Sequence, residues 1–300
     1  MTPNPHYDVV ILGTGPAGLQ AAVHAARKKV SVLTLGKESK SSLFHAHIEN
    51  FCCIFKLSGE EMLSTGRQQA ANFGADFLDE DILKIQLADD GYRLETEGGH
   101  TITATSLIIA TGTARNKLGV PGEKALLGKG VSYCVDCDGN FYRGQKVAVV
   151  GDESAAADGA LTLTEIAAEV HLVSADLDVS PALAEKLANS SVHLHTGVHV
   201  AAIQGEDAVT GLALDNDETL DVGGVFIEQG AKGLMELATT LGVALDDEMR
   251  YIATDKRQAT NLPGVYAAGD ICGPPWQMAK AVGEGCVAGI SAATYAKKHR

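Results

Sequence analysis

The stretch Val9-Val10-Ile11-Leu12-Gly13-Thr14-Gly15-Pro16-Ala17-Gly18 decides how this chain folds. Four apolar residues are too few for a helix, and they run directly into glycine, as a buried strand does where it meets a tight turn. An alanine-rich segment through Ala26 reads as a helix, and Val30-Ser31-Val32-Leu33-Thr34-Leu35 reads as the next parallel strand. The whole is a βαβ unit. In Gly13-x-Gly15-x-x-Gly18 the first glycine permits the turn, the second lets a diphosphate approach the backbone, and the third lets helix and strand pack closely. The helix N-terminus that follows then offers amides and a partial positive charge to an anion. Glycine spacing alone describes a tight turn; with these flanking elements it describes a dinucleotide site. Glu38, twenty residues beyond Gly18, is the nearest acid for an adenosine ribose.

The same pattern returns at Lys146. Val147-Ala148-Val149-Val150 ends at Gly151, another alanine-rich helix follows, and Glu169 to Val173 closes the unit. Between the copies, Tyr92 to Glu97 and His100 to Thr105 read as antiparallel strands around Gly98-Gly99, followed by the apolar run Leu107 to Ala110. After the second copy come strands at Ser191 to Val200, Ala208 to Leu214 and Val222 to Ile227. The strand Gly264 to Ala268 ends at Gly269-Asp270, and a helix from about Gln277 to Tyr295 reads as the return of the chain to the first domain. The expected fold is α/β, two Rossmann-like doubly wound domains with the second inserted into the first. The expected boundaries are 1–115, 116–229 and 230–300.

Composition narrows the function. Aromatics are 5% of the 300 residues, so alanine and aliphatic side chains must build the core. The net charge of -14 and short basic clusters give no track for nucleic acid. No run reaches ~18 apolar residues, and the first ten residues lack the basic and apolar regions of a secretory signal. A cytoplasmic protein without a membrane span is expected. Six cysteines are too few for a secreted disulfide scaffold.

Cys134-Val135-Asp136-Cys137-Asp138-Gly139 carries the second strong signal. Two thiols at this spacing close a small disulfide ring, and Asp138 beside them is placed to shuttle a proton. Half of a zinc site and an ordinary pair of turn cysteines are the other readings of the spacing.

In combination with Ile48-Glu49-Asn50, Leu107 to Gly112, Gly119-Val120-Pro121-Gly122, Gly130 to Cys134, Phe141-Tyr142-Arg143 and Val265 to Asp270, the chain resembles the low-molecular-weight thioredoxin reductases. These are flavoproteins of the pyridine nucleotide-disulfide oxidoreductase class, and the resemblance covers essentially the whole length. It implies an FAD domain formed by both ends of the chain, a central domain with the cysteine pair, a homodimer, and thioredoxin or a similar protein disulfide as substrate. It further implies that Gly13, Gly15, Ala17 and Gly18 cradle the FAD diphosphate with Pro16 among them, that Asn50 and Gly112 line the flavin site, and that Asp270 holds the ribityl chain. Met278 and Ala279 match the start of the helix beneath the isoalloxazine. Cys137 is implied to face the flavin, Cys134 to attack the substrate disulfide, and Asp138 to act as acid/base. No metal is expected.

The second nucleotide loop departs from the family. Where an NADPH-dependent member carries Gly-x-Gly-x-x-Ala, this chain has Gly151-Asp152-Glu153-Ser154-Ala155-Ala156. Glu153 adds bulk and, with Asp152, negative charge where phosphates would approach; two acids at a helix start also stabilise the helix itself. After Val173 the family places arginines for the 2′-phosphate, and here Ser174-Ala175-Asp176-Leu177-Asp178 follows. The expected activity is therefore disulfide reduction with an electron donor other than NADPH, such as ferredoxin. The alternatives are a dithiol oxidase using oxygen and an NADH- or NADPH-dependent reductase with an atypical site. An acidic ferredoxin would need local basic groups, for which Arg115, Lys117, Lys124, Lys129 and Lys297 to Arg300 are the candidates.

His193 and His195 share one strand face and are expected to be solvent-facing, as is His199. Cys52 and Cys53, which replace the family's Pro-Gly, are expected as buried or partly buried free thiols. Ser58-x-x-Glu61 reads as a helix capping box.

Overall fold

Val9 to Leu12 are buried within β1 (His6–Leu12), the middle strand of a parallel sheet. In the computed structural model, which describes every residue except 1, 2, 4, 90, 113–116 and 231–240, β1 pairs in parallel with β2 (Val32–Leu35) and β8 (Thr101–Ile109). Beyond β2 lies β5 (Ala75–Leu78), also parallel. β6 (Ile82–Ala88) and β7 (Gly91–Thr96) form an antiparallel extension against the first half of β8. The second half of β8 takes β17 (Val265–Ala267) in parallel, so a late segment of chain completes the sheet begun by β1.

Strand β8 runs through the position where the sequence suggested a break. Ser106 is buried within it, and its hydroxyl donates to the Gly264 carbonyl at 2.6 Å. This bond removes the penalty of a polar group in the sheet interior.

Helix α1 (Pro16–Arg27) crosses from β1 to β2 and packs against the helix Met278–Lys298. A Cβ on Gly285 would lie 2.1 Å from the Ala17 oxygen, and one on Gly289 would lie 2.4 Å from the Ala21 oxygen. Only glycine allows this backbone approach. Around it Ala21, Ala22, Ala25, Ala288 and Ala292 are all buried, the alanine-built core that the low aromatic content implied. Arg300 closes the far end with a two-pronged bond to Asp8 on β1, Nε to Oδ1 at 2.8 Å and Nη2 to Oδ2 at 2.5 Å. Helix α2 (Gly59–Asn72) starts as the capping box requires, with Glu61 N–H donating to Ser58 Oγ at 3.1 Å.

The second sheet is wholly parallel. Its order is β12 (His193–Thr196), β11 (Glu169–Ser174), β10 (Lys146–Val150), β16 (Gly224–Ile227) and β9 (Val131–Ser132). Helix α4 (Ser154–Leu163) makes the crossover from β10 to β11, and α5 (Pro181–Ala188) the next. An antiparallel group of β13 (Val200–Gly205), β14 (Val209–Leu214) and β15 (Thr219–Leu220) shares its core. The expected single strand over Ser191 to Val200 is interrupted because Gly197 adopts φ +72°, which turns the chain between β12 and β13.

Packing divides the chain into two units, Met1–Thr96 with His100–Thr113 and Leu237–Arg300, and Glu97–Gly99 with Ala114–Glu236. Each holds its own sheet with a parallel core and crossover helices, the first with an antiparallel extension, so the α/β fold with two Rossmann-like units is as expected. Among the described residues no helix is long and apolar enough to cross a membrane.

Candidate active site

In the first unit the three loop glycines do different work. Gly13 adopts φ +112°, and a Cβ there would lie 2.3 Å from the Ala110 oxygen. A Cβ on Gly18 would lie 1.9 Å from the Gly13 oxygen, so this glycine is needed for the turn to close on its own helix. Gly15 differs: its nearest neighbour would be Ser41 Oγ at 3.5 Å, so the space above it is open. It is also the N-cap of α1, with no side chain capping the helix and no acid in the first turn. The start of α1 is thus left facing outward, with Pro16 at its first position and Ala17 and Gly18 buried behind it.

Glu38 is held in place by Arg67, whose Nη1 donates to Glu38 Oε1 at 3.0 Å and to Asp79 Oδ1 at 2.7 Å. Asn50 and the last helix, 227 residues apart, meet through an Asn50 Nδ2 to Gln277 Oε1 bond of 3.1 Å. Gln277 is the N-cap residue before Met278 and Ala279. Gly112 adopts φ +71° with open space at its Cβ. Asp270 begins a short 3-10 turn (Asp270–Cys272) flanked by two glycines whose carbonyls are gripped by Lys280, with Nζ donating to Gly269 O at 2.8 Å and Gly273 O at 2.6 Å. Burial pushes the Asp270 carboxyl above the ordinary value, Glu284 adds to this, and Lys280 opposes it. Burial, reinforced by Glu284, pushes the Cys272 thiol up to about 12, so this cysteine stays protonated.

In the second unit Cys134 and Cys137 form a disulfide, with Cα atoms 5.3 Å apart. The pair spans the turn α3 (Val135–Asp138): Cys134 is its N-cap, and the Cys137 N–H donates to Cys134 Sγ at 3.1 Å. Cys134 is buried and Cys137 half-buried. Asp138 Oδ2 accepts the Ser132 hydroxyl at 2.6 Å, and Ser132 Oγ accepts the Cys134 N–H at 3.1 Å. Ser132 therefore fixes the carboxylate relative to the first cysteine. Burial, then the charge of Asp138, raises the Tyr142 phenol above its ordinary value. A further carboxylate reaches the turn from outside it: Glu228, just past β16 and 5% exposed, accepts the Val135 N–H at 2.8 Å.

The second nucleotide loop is filled by its own acid. Asp152 Oδ1 accepts Ser174 Oγ and Ala175 N–H, both at 2.8 Å, and Asp176 N–H at 3.4 Å. The end of β11 is thereby tied to the loop after β10. Glu153 is the N-cap of α4 and makes no side-chain cap bond to it.

A model of the pyridine nucleotide-disulphide oxidoreductase family matches residues 7–285. The chain belongs to this family. The thioredoxin reductase of Escherichia coli O157:H7 is 35% identical, with 97% of this chain and 96% of that protein covered. Among solved structures, the atypical thioredoxin reductase TRi from Desulfovibrio vulgaris Hildenborough matches with a TM-score of 0.84 at 36% identity, covering 99% of both chains. A ferredoxin-flavin thioredoxin reductase from Clostridium acetobutylicum matches at 0.69 and 28% identity, covering 98% of both. The chain is a thioredoxin reductase-type disulfide oxidoreductase.

FAD is the cofactor of these enzymes, and the first unit fits it. The uncapped start of α1 and the open face of Gly15 suit a diphosphate, whereas the second unit offers acid at the corresponding place. FAD supplies the means of accepting electrons and delivering them in pairs to a disulfide.

Other sequence expectations meet mixed outcomes. Cys52 and Cys53 are free, but exposed rather than buried; their Sγ atoms are 3.6 Å apart, and Cys53 adopts φ +71°. His195 is half-buried rather than solvent-facing, because its Nε2 lies 3.0 Å from Nδ1 of His171, whose Nε2 lies 2.9 Å from Glu169 Oε1. His193 is exposed and stacks on His171, and His199 is exposed. Among the described residues no cluster of His, Cys, Asp or Glu is arranged to hold a metal ion. Arg115 lies outside the described residues, and Arg300 is committed to Asp8, which leaves Lys117, Lys124, Lys129, Lys297 and Lys298 as exposed basic groups. Ser132, Glu228, Arg67 and Lys280 were not anticipated: each acts through a fold contact and belongs to no spacing pattern.

Proposed function

We propose that this chain reduces the disulfide of thioredoxin or a similar protein with electrons that enter at FAD from a ferredoxin-like one-electron carrier and not from a nicotinamide dinucleotide. The observation that carries this reading is the Asp152 carboxylate, which takes the Ser174 hydroxyl and Ala175 N–H. Those groups stand where the second nucleotide would be read. Glu153 sets a further charge at the start of α4, where a diphosphate would need open amides. Without a hydride donor, the electrons must come from another carrier, and a flavin can join one-electron donors to a two-electron disulfide. The likeness to a protein named as a ferredoxin-flavin thioredoxin reductase supports the same choice.

In this scheme Gly13, Gly15, Pro16, Ala17 and Gly18 hold the diphosphate, Glu38 the ribose, and Asn50, Gly112, Asp270, Met278 and Ala279 surround the flavin and its ribityl chain. Cys137 receives the electron pair and Cys134 leaves as thiolate. Asp138, held by Ser132, supplies or takes the proton. The Cys134 thiolate attacks the partner's disulfide, and Cys137 resolves the mixed disulfide. Cys134 is buried here, so this attack requires an opening motion.

Anaerobic mixing of the purified holoprotein with reduced ferredoxin, NADH and NADPH in turn tests the reading. Ferredoxin should bleach the flavin and then reduce thioredoxin. Flavin bleaching by NADPH at comparable rates would overturn the choice of donor, and oxygen uptake with small dithiols would identify a dithiol oxidase instead.

A further inference from the structure

Glu228 is a buried carboxylate one residue from the redox disulfide. Its Oε1 accepts the N–H of Val135, the first residue of α3, at 2.8 Å, across 93 positions of sequence. Gly159 on α4 lies against the same turn: a Cβ there would crowd Val135 Cγ2 at 3.0 Å and touch Glu228 Cγ at 3.7 Å. The Glu228 N–H donates to Val150 O at 2.9 Å, which anchors the residue to the end of β10. Such a placement is not a surface accident.

In a Cys-x-x-Cys turn the backbone N–H groups that follow the first cysteine stabilise its thiolate, which lowers that thiol below the ordinary value. Here the Cys137 N–H serves Cys134 Sγ at 3.1 Å, but the Val135 N–H is directed to a carboxylate. One N–H at the start of α3 is thus paired with an acid in a water-poor setting, where charge acts more strongly than in solvent. The turn carries two acids of its own: Asp138, which accepts the Ser132 hydroxyl, and the exposed Asp136.

We propose that Glu228 is a positioning residue that sets the reducing power of the Cys134–Cys137 pair, by diverting the Val135 N–H and by opposing negative charge on Cys134. Two electrons and one proton convert the disulfide to a thiolate and a thiol, and a second proton gives the dithiol; the electrons come from the bound flavin and leave to the partner's disulfide. By disfavouring the thiolate, Glu228 makes the reduced pair hold its electrons less tightly. It also keeps Cys134 protonated until the partner is engaged. The inference rests on the reading of Cys134 and Cys137 as the redox pair.

The test uses the FAD-loaded protein and Glu228→Gln, which retains an acceptor for Val135 while removing the charge. In a Cys137→Ser background, Cys134 alkylation by iodoacetamide is followed against pH with and without Glu228→Gln. The variant should titrate at least one pH unit lower, with alkylation at pH 7 faster by up to about tenfold. With both cysteines present, its midpoint potential in thiol/disulfide buffers should rise, by about 30 mV for each tenfold shift in the exchange equilibrium. Unchanged titration and potential would overturn the inference. Should Glu228→Gln fail to retain flavin, Cys137→Ser alone decides: Cys134 should titrate near or above the ordinary thiol value of about 8.5, and a value well below 7 would overturn it. A wild-type pair that exchanges with no dithiol at all would instead defeat the assignment of the pair itself.

Discussion

A methyl group on Gly18 would come within 1.9 Å of the Gly13 carbonyl oxygen, whereas one on Gly15, two positions on from Gly13, would meet nothing closer than 3.5 Å. The two glycines therefore differ: Gly18 is required by the turn itself, whereas Gly15 leaves open space that the proposed FAD site would use. Gly18→Ala should destabilise the apoprotein by about 3 kcal/mol, since the obstacle is backbone that must shift. Gly15→Ala should leave apoprotein stability within about 0.5 kcal/mol and weaken FAD by at least about tenfold. Denaturant melts of the apoproteins and FAD titrations separate the two; equal loss of stability in both would contradict the assignment.

Nicotinamide use should answer poorly to Glu153→Gly alone, because Asp152 continues to occupy the end of β11. Adding Asp152→Ala and Asp176→Arg should raise the rate of flavin bleaching by NADPH at least about tenfold, at a stability cost of about 2 kcal/mol for the lost carboxylate bonds. Ser180 is better left intact. It caps α5 by accepting the Leu183 N–H at 3.3 Å, and losing that cap costs about 1 kcal/mol. Stopped-flow absorbance at the flavin band reads the outcome.

Cys134→Ser should keep FAD bound and lose disulfide turnover by at least about 10³-fold, since serine cannot attack as a thiolate does. Retention of turnover would remove this pair from the reaction. Replacement of Cys52 by Ser, at a pair of exposed cysteines that form no disulfide, should leave turnover within about twofold.

The Arg300–Asp8 pair gives a pH signature. The Arg300 hydrogen bond holds the Asp8 carboxyl at about 2, aided by Ser31 and opposed by burial. The folded value lies below the unfolded one, so the contribution is present above about pH 4 and is lost as the pH falls toward 2. Arg300 is solvent-exposed, which keeps the effect small. Arg300→Ala should lower stability at pH 7 and by much less at pH 2.5, read by chemical denaturation.

What could be read in advance was local. The first βαβ unit, the cysteine pair and the altered second loop all lie within short windows whose spacing reports their geometry. Strand β8 was divided in two because Ser106 looks polar in sequence, while its partner, Gly264, lies 158 positions away. Glu228 and Ser132 were missed for the same reason: an isolated acid or hydroxyl carries no period, and only the packed strands bring it to the redox turn. Asp152 was read by its charge; that its carboxylate bonds to the end of β11 depended on the parallel pairing of β10 with β11.

The contact of Gly285 and Gly289 with Ala17 and Ala21 also has a consequence in time. The phosphate loop leaves the ribosome early, but the helix that presses α1 into place is made some 270 residues later, roughly 15 to 55 s at ordinary translation rates. Over that interval the second unit, whose sheet draws on no residue beyond β16, has everything it needs to fold. Flavin capture at the proposed site should therefore be a late event of biogenesis, and a nascent chain stalled before Met278 should already fold its second unit yet remain colourless.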